Sequence, residues 1–289
     1  SILSGAIESF IGGGADNRIL GSAFDSTIAG GSDNVIEGGA SYAGIGGGRS
    51  NTIQTNADYA TIGGGIANTI ATNAALATIG GGTGNTIASN AASSAIGGGS
   101  DNSVQFSSSD ATIGGGRLNI IDPLSTTATI GGGDGNHIHA AAPSSTIGGG
   151  SGNQIGLSVS YATVPGGRDN VADGSYGFAA GRHARANHMG AFVWADASDF
   201  NFLSSAVNQF SARAVGGVRF VSSIDIFGTP TAGVSLAPGG TSWGVISDRN
   251  VKKDVAPVDS RGILEKLAAL PITQWHYRWE EGNVTPHIG

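Results

Sequence analysis

Hydrophobic and polar positions recur with a fixed 17-residue period from the N-terminus to residue 176. The string Ile-Gly-Gly-Gly, or a close variant of it, begins at ten positions: Ile11, Ile28, Ile45, Ile62, Ile79, Ile96, Ile113, Ile130, Ile147 and Val164. Six positions after each start stands an asparagine: Asn17, Asn34, Asn51, Asn68, Asn85, Asn102, Asn119, Asn136, Asn153 and Asn170. Two positions further on, Ile or Val follows in nine of the ten copies, and Ala172 is the exception.

This spacing predicts a parallel β-solenoid. Because no copy carries an insertion, we expect every residue of the repeat to belong to the perimeter of one coil. An extended chain rises ~3.3 Å per residue, so a coil has a perimeter of at most ~56 Å. That length fits two or three short sides joined by tight bends. The predicted fold class is therefore all-β, a parallel β-solenoid or β-roll with ten 17-residue coils over residues 1–176.

Stacked coils would align identical side chains in rows. The isoleucines are expected to form an inner ridge, and the triple glycine to supply a bend with positive φ or a close backbone approach. The asparagines would form a ladder of side-chain amides between coils. Asparagine also tolerates a left-handed bend, so a corner role stays open beside the ladder role. Two isoleucines per coil make a thin core, so burial of another face against partner chains is expected.

Composition and charge narrow the class of protein. Glycine supplies 51 of the 289 residues, but no Gly-x-y triplet period is present, which excludes collagen. Residues 1–176 hold 12 acidic residues, four arginines and no lysine, a pattern that argues against nucleic acid as a partner. The chain contains no cysteine, and no apolar run is long enough to predict membrane insertion.

Candidate chemistry in the repeats is sparse. The glycines recur without a following helix and lysine, so no phosphate loop is predicted. His137 and His139 lie on one face of a predicted strand, but no carboxylate or cysteine accompanies them in the sequence, so we predict no metal and no cofactor. No acidic pair stands out for glycan hydrolysis. A row of threonines before the repeat isoleucine leaves a glycan- or ice-binding solenoid as an alternative.

After Ala172 the period falls to 14 residues, with Phe178 and Phe192 as equivalent positions. The stretch 181–188, Gly-Arg-His-Ala-Arg-Ala-Asn-His, resembles the β-roll head of trimeric autotransporter adhesins, the YadA-like family. The resemblance implies a left-handed roll in which three chains pack around a threefold axis. We assign residues 177–197 to these shorter coils.

The remaining residues lack a period. Residues 198–241 contain short alternating strands with Gly and Pro turns, and we interpret them as the β connector of a trimer. Residues 242–289 predict a small α+β segment, with a helix from near Asp259 that ends before Pro271. This segment resembles the intramolecular chaperone domain of endosialidases and phage tail fibres, through Ser-Asp-Arg-Asn-Val-Lys at 247–252 and the stretch 258–267. Since the sequence stops at Gly289, we expect a partial domain.

The second resemblance implies an activity. In that family the domain trimerises fibres and often cuts itself off at the serine of a Ser-Asp-x-x-x-Lys motif. By that resemblance Ser247 is the nucleophile on the Ile246–Ser247 bond, and Lys252 is its general base. Such cleavage would be a single turnover, so no enzyme in the ordinary sense is predicted.

Together these features predict a structural fibre or adhesin-like stalk, a homotrimer whose main partner is itself. It would work outside the cell or on a bacterial cell surface, in contact with a surface, matrix or glycan. A phage tail fibre or spike on a virion is the alternative reading.

Overall fold

The computed structural model describes residues 1–247, 254, 256–276 and 287–288. The chain divides into two compact units, Ser1–Val215 and Gly216–Gly289. The strands of the first unit are β1 Phe10–Ile11, β2 Arg18–Ile19, β3 Thr27–Ile28, β4 Val35–Ile36, β5 Gly44–Ile45, β6 Thr52–Ile53, β7 Thr61–Ile62, β8 Thr69–Ile70, β9 Thr78–Ile79, β10 Thr86–Ile87, β11 Ala95–Ile96, β12 Ser103–Val104, β13 Thr112–Ile113, β14 Ile120–Ile121, β15 Thr129–Ile130, β16 His137–Ile138, β17 Thr146–Ile147, β18 Gln154–Ile155, β19 Thr163–Val164, β20 Gly167–Arg168, β21 Val171–Ala172, β22 Phe178–Arg182, β23 Ala184–Ala186, β24 Phe192–Ala195, β25 Phe202–Leu203 and β26 Phe210–Arg213.

The first unit is a parallel β-solenoid, which confirms the predicted fold class. Each repeat contributes two short strands, and each strand pairs with its copies in the adjacent coils, as Thr86 does with Thr69 and with Ser103. One sheet has 14 strands and begins β1-β3-β5, and the other has 12 strands and begins β2-β4-β6. A column of isolated parallel bridges from Ala15 to Arg168 forms a third side.

Two-residue strands arise because the sequence alternates one outward and one inward side chain on each side of the coil. From Ile19 to Val164 the inward Ile or Val is almost completely buried, for example Ile79 and Ile87 at 0 % exposure, while Ile11 in the first repeat is partly buried. Small residues at the remaining corner complete the core, mostly alanine. Where serine replaces alanine its hydroxyl is satisfied: Ser94 Oγ donates to Ser108 O (2.8 Å) and accepts from the Ala111 amide (3.1 Å).

The backbone φ angles at the corners of the coil show whether asparagine is a left-handed corner residue or a ladder residue, the two roles that the sequence left open. The left-handed φ belongs to the residue before each asparagine, as at Asp101 (φ 55°), and not to the asparagine itself. The third glycine of the triplet also has positive φ, and the backbone of the neighbouring coil leaves no room for a side chain there. A Cβ on Gly99 would lie 2.0 Å from the carbonyl oxygen of Gly116, so only glycine fits.

The coil length changes near the end of the solenoid. Phe178 pairs with Phe192, and Phe192 pairs in turn with Phe210, so a 14-residue coil is followed by an 18-residue coil. The 18-residue coil matches neither the 17- nor the 14-residue period, so the sequence pattern did not predict it. As a result β25 and β26, which lie in the segment assigned to the connector, extend the two solenoid sheets.

The second unit contains three further strands, β27 Val218–Ile224, β28 Pro230–Leu236 and β29 Trp243–Ser247, which form an antiparallel sheet. It also contains helix α1 Ser260–Ala268 and the antiparallel pair β30 Gln274–Trp275 and β31 His287–Ile288. The helix begins where the sequence predicted, since Asp259 Oδ1 accepts from the amides of Arg261 and Gly262, both at 3.1 Å.

Candidate functional site

The asparagine ladder is the most regular polar feature of the solenoid. Asn102 is completely buried, and its Nδ2 donates to Asn85 Oδ1 (3.1 Å), Gly98 O (3.0 Å) and Gly116 O (2.9 Å). Its Oδ1 accepts from the backbone N (3.1 Å) and the Nδ2 (3.0 Å) of Asn119. Each amide therefore links its own coil to the coils on both sides.

The structure brings all ten predicted ladder residues into one column. The amide-to-amide bonds run from Asn17 through every repeat to Asn170. At the end of the column Asn170 Oδ1 accepts from the amide of Ala184 (3.0 Å), and its Nδ2 donates to Gly181 O (2.8 Å). The ladder thus fastens the 17-residue coils to the first shorter coil. Buried and fully paired amides are suited to a structural role rather than to chemistry.

Charge is unequally distributed among the sides of the solenoid. One set of outward positions on the 14-stranded sheet, which we call the threonine face, carries no charged side chain, although the sheet also includes Arg168 of β20 and Arg182 and Arg213 at the ends of β22 and β26. The positions of the threonine face are the first strand residues Phe10, Thr27, Gly44, Thr61, Thr78, Ala95, Thr112, Thr129, Thr146, Thr163, Phe178, Phe192 and Phe210, and the residues two positions after each of them. The 12-stranded sheet and the bridged side both carry charges, for example Arg18, Glu37 and Arg117.

Aromatic side chains lie at the C-terminal end of the threonine face. Phe178 and Phe192 stack with ring centroids 4.5 Å apart, and Phe192 and Phe210 stack at 4.9 Å. Phe210 is 69 % exposed, and Trp194, which lies on the same strand as Phe192, is 40 % exposed. An uncharged face that ends in exposed aromatic rings is typical of a protein interface.

An ion pair fastens the last coil of the solenoid. Arg213 Nε lies 3.0 Å from Asp196 Oδ1, and both side chains are largely buried. The backbone amide of Val215 donates to Asp196 Oδ2 (2.9 Å). This hydrogen bond, assisted by those from Ser198 and Arg213, outweighs desolvation and lowers the pKa of Asp196 well below its ordinary value. The carboxylate is therefore held in its ionised form at the end of the stack.

His137 and His139 do have a carboxylate neighbour, so the prediction that none accompanies them is wrong. His137 Nε2 lies 2.9 Å from Asp122 Oδ2, and His139 Nδ1 lies 3.6 Å from the same oxygen. His183 Nε2 lies 2.7 Å from Asp199 Oδ1. Coil stacking explains the error, because it makes neighbours of residues about one coil apart in the sequence. In the described part of the chain, Asp122, His137 and His139 form a group whose ligand atoms lie within 4.8 Å of one another.

The predicted cleavage site lies in the second unit. Ser247 is the last residue of β29, and its backbone lies opposite Ala232 of β28. Ile246 lies opposite Gly233, so the Ile246–Ser247 peptide bond belongs to a paired strand. The predicted general base, Lys252, lies outside the described residues.

No helix within the described ranges has the length and apolar character needed to cross a bilayer.

Comparison with known proteins identifies the C-terminal segment. No curated protein matches the chain at a significant level. The sequence profile of the family described as Chaperone of endosialidase matches residues 247–289. The chain therefore joins a parallel β-solenoid to a C-terminal segment of the chaperone-of-endosialidase type.

Proposed function

We propose that the chain is the shaft of a trimeric structural fibre, and that residues 242–289 act as an intramolecular chaperone for its assembly. The observation that carries this proposal is the family match at residues 247–289, which follows a regular solenoid in the same chain. The match favours a fibre of the phage tail-fibre type, with a cell-surface stalk as the second candidate. In both cases the solenoid supplies reach and spacing.

The threonine face is the surface by which three copies meet in this proposal. A charge-free side can be buried without desolvating ions, whereas the other two sides cannot. The stacked phenylalanines, with Phe210 69 % exposed, provide the apolar anchor at the C-terminal end of this face. An arrangement of this kind around a threefold axis agrees with the YadA-like resemblance of residues 177–197.

The chaperone segment releases itself in this proposal by cleavage of the Ile246–Ser247 bond. The Ser247 hydroxyl attacks the carbonyl of Ile246, and Lys252 accepts its proton. The C–N bond between the two residues then breaks as Lys252 passes the proton to the α-amino group of Ser247. Water hydrolyses the resulting ester and separates the two pieces. Because the bond lies in a strand paired with β28, that strand must separate locally before attack. Cleavage would follow assembly and make the trimer difficult to reverse.

The trimer is tested by measuring the mass of the intact chain in solution by light scattering and native mass spectrometry. We expect three times the chain mass. Thr112→Arg places a charge on the threonine face and should dissociate the trimer. Ser103→Arg is the matched control, since its position on the other sheet is that of Arg18 five coils earlier, and it should leave the trimer intact. A monomeric wild type, or equal effects of both variants, would refute the proposed interface.

Cleavage is tested on a denaturing gel and by intact-mass analysis. Wild type should yield two pieces, 1–246 and 247–289, while Ser247→Ala and Lys252→Ala yield one. If wild type and Ser247→Ala give the same single band, self-cleavage is wrong while the trimer proposal stands. Electron microscopy of native material then separates the two settings, because a tail fibre is attached to virions and a stalk to cells.

A further inference from the structure

We infer that Asp122, His137 and His139 form a zinc site on the outside of the 12-stranded sheet. His137 occupies the outward position of β16, and His139 lies on the same face two positions later. Asp122 occupies the position of His139 in the preceding coil, directly after β14. Two imidazoles and one carboxylate are a ligand set that Zn²⁺ takes readily, with a fourth position left for water.

The distances between the donor atoms fit this ion. At metal–ligand distances of about 2.0–2.1 Å, two ligands of a tetrahedral zinc ion lie about 3.3–3.4 Å apart. The two histidine nitrogens lie 2.9 and 3.6 Å from Asp122 Oδ2, values that bracket this separation. All three donor atoms lie within 4.8 Å of one another, so small side-chain rotations bring them to coordination distance.

One of the three donor atoms is buried without a hydrogen bond of good geometry. His137 Nε2 is buried and faces Asp122 Oδ2 at 2.9 Å without a well-aligned hydrogen bond. A neutral imidazole binds a metal through the lone pair of such a nitrogen. A bound cation would satisfy this nitrogen and the carboxylate together.

A neighbouring side chain orients the second imidazole. Gln154 Oε1, in the following coil, lies 3.4 Å from His139 Nε2. An N–H at Nε2 that points to this oxygen leaves the lone pair on Nδ1, the atom that faces Asp122. Metal-binding histidines are commonly held by a partner on the other ring nitrogen in this way.

The site would cross-link the stack. Asp122 belongs to one coil and both histidines to the next, so a bound zinc ion ties two consecutive coils through their side chains. The backbone hydrogen bonds between these coils, such as Asp122 N to Ile138 O (2.9 Å), lie alongside it. Zinc thus acts as a staple in the middle of the solenoid rather than as a catalyst.

The test is titration of the full chain with Zn²⁺ by calorimetry, and with Co²⁺ by absorption spectroscopy. Suitable variants are His137→Gln and His139→Gln, because glutamine occupies the equivalent positions in nearby coils, as Gln154 and Gln105. We expect one ion per chain in wild type, at least tenfold weaker binding in each single variant, and no detectable binding in the double variant. Bound Co²⁺ should show the visible bands of a four-coordinate site.

A matched control separates this site from general histidine binding. His183→Gln removes another histidine that lies beside a carboxylate, Asp199 at 2.7 Å, and should leave one Zn²⁺ per chain. Hydrogen exchange should slow on Zn²⁺ addition in the coils that contain Asp122 and His139. The proposal is overturned if wild type binds no Zn²⁺, if the double variant with an unchanged circular dichroism spectrum binds as wild type does, or if His183→Gln abolishes binding equally.

Discussion

Replacement of Asn102 by alanine removes one member of the buried asparagine ladder. The loss leaves two groups without a partner within the described residues, the carbonyl of Gly98 and the backbone N–H of Asn119. Each orphaned group, one on the buried Asn119 and one on the half-buried Gly98, costs about 1–3 kcal/mol. We therefore expect a local destabilisation of about 4 kcal/mol, which corresponds to about a thousandfold in the opening equilibrium.

Hydrogen exchange measured by mass spectrometry checks this magnitude. The informative amides are those of Thr86 and Ser103, which donate to the carbonyls of residues 102 and 119 (both 2.9 Å). Because alanine keeps these backbone bonds, faster exchange at the two amides reports opening of the coils rather than loss of the bond itself. The exchange rate should rise about a thousandfold if coil opening limits it.

An exposed asparagine serves as the control. Asn73 has a left-handed φ of 58° and bonds Asn90 Oδ1 at 3.2 Å on the surface. Glycine accepts that backbone conformation, so Asn73→Gly should change stability by less than about 0.5 kcal/mol. If Asn102→Ala exchanges no faster than Asn73→Gly, the buried ladder does not stabilise the stack and the reasoning fails.

Two further predictions concern the glycine row and the last coil. Gly99→Ala, whose Cβ would lie 2.0 Å from Gly116 O, should destabilise the solenoid by about 3 kcal/mol or more in thermal unfolding. Gly44→Thr has open space around its Cβ and should be neutral; an equal loss in both would contradict the packing argument. The lowered pKa of Asp196 means that its contribution to stability is fully present above the pKa of an unfolded aspartate, about 4, and is lost progressively as pH falls from there towards the much lower pKa of the folded protein. Acid should therefore loosen the coil held by Arg213 in wild type but not further in Asp196→Asn, as measured by exchange between about pH 2.5 and pH 6; identical pH profiles would refute this.

The strict 17-residue spacing was sufficient to predict the solenoid, because every coil repeats the same inward isoleucines and the same asparagine. The helix after Asp259 was equally readable, since its capping residue and the following proline are local signals. The coil that ends at Phe210 escaped prediction, because its 18-residue length is set by pairing with Phe192 and not by a repeated string.

Coil stacking was needed to show that asparagine forms a ladder rather than a corner. The chain alone specified which residues recur, and hence which would stack, because periodicity is a local property of the sequence. It could not specify which atoms of neighbouring coils touch. The partnership of Asp122 with His137, and the absence of charge along the threonine face, exist only after coils are superposed, since register brings together side chains that no local signal connects.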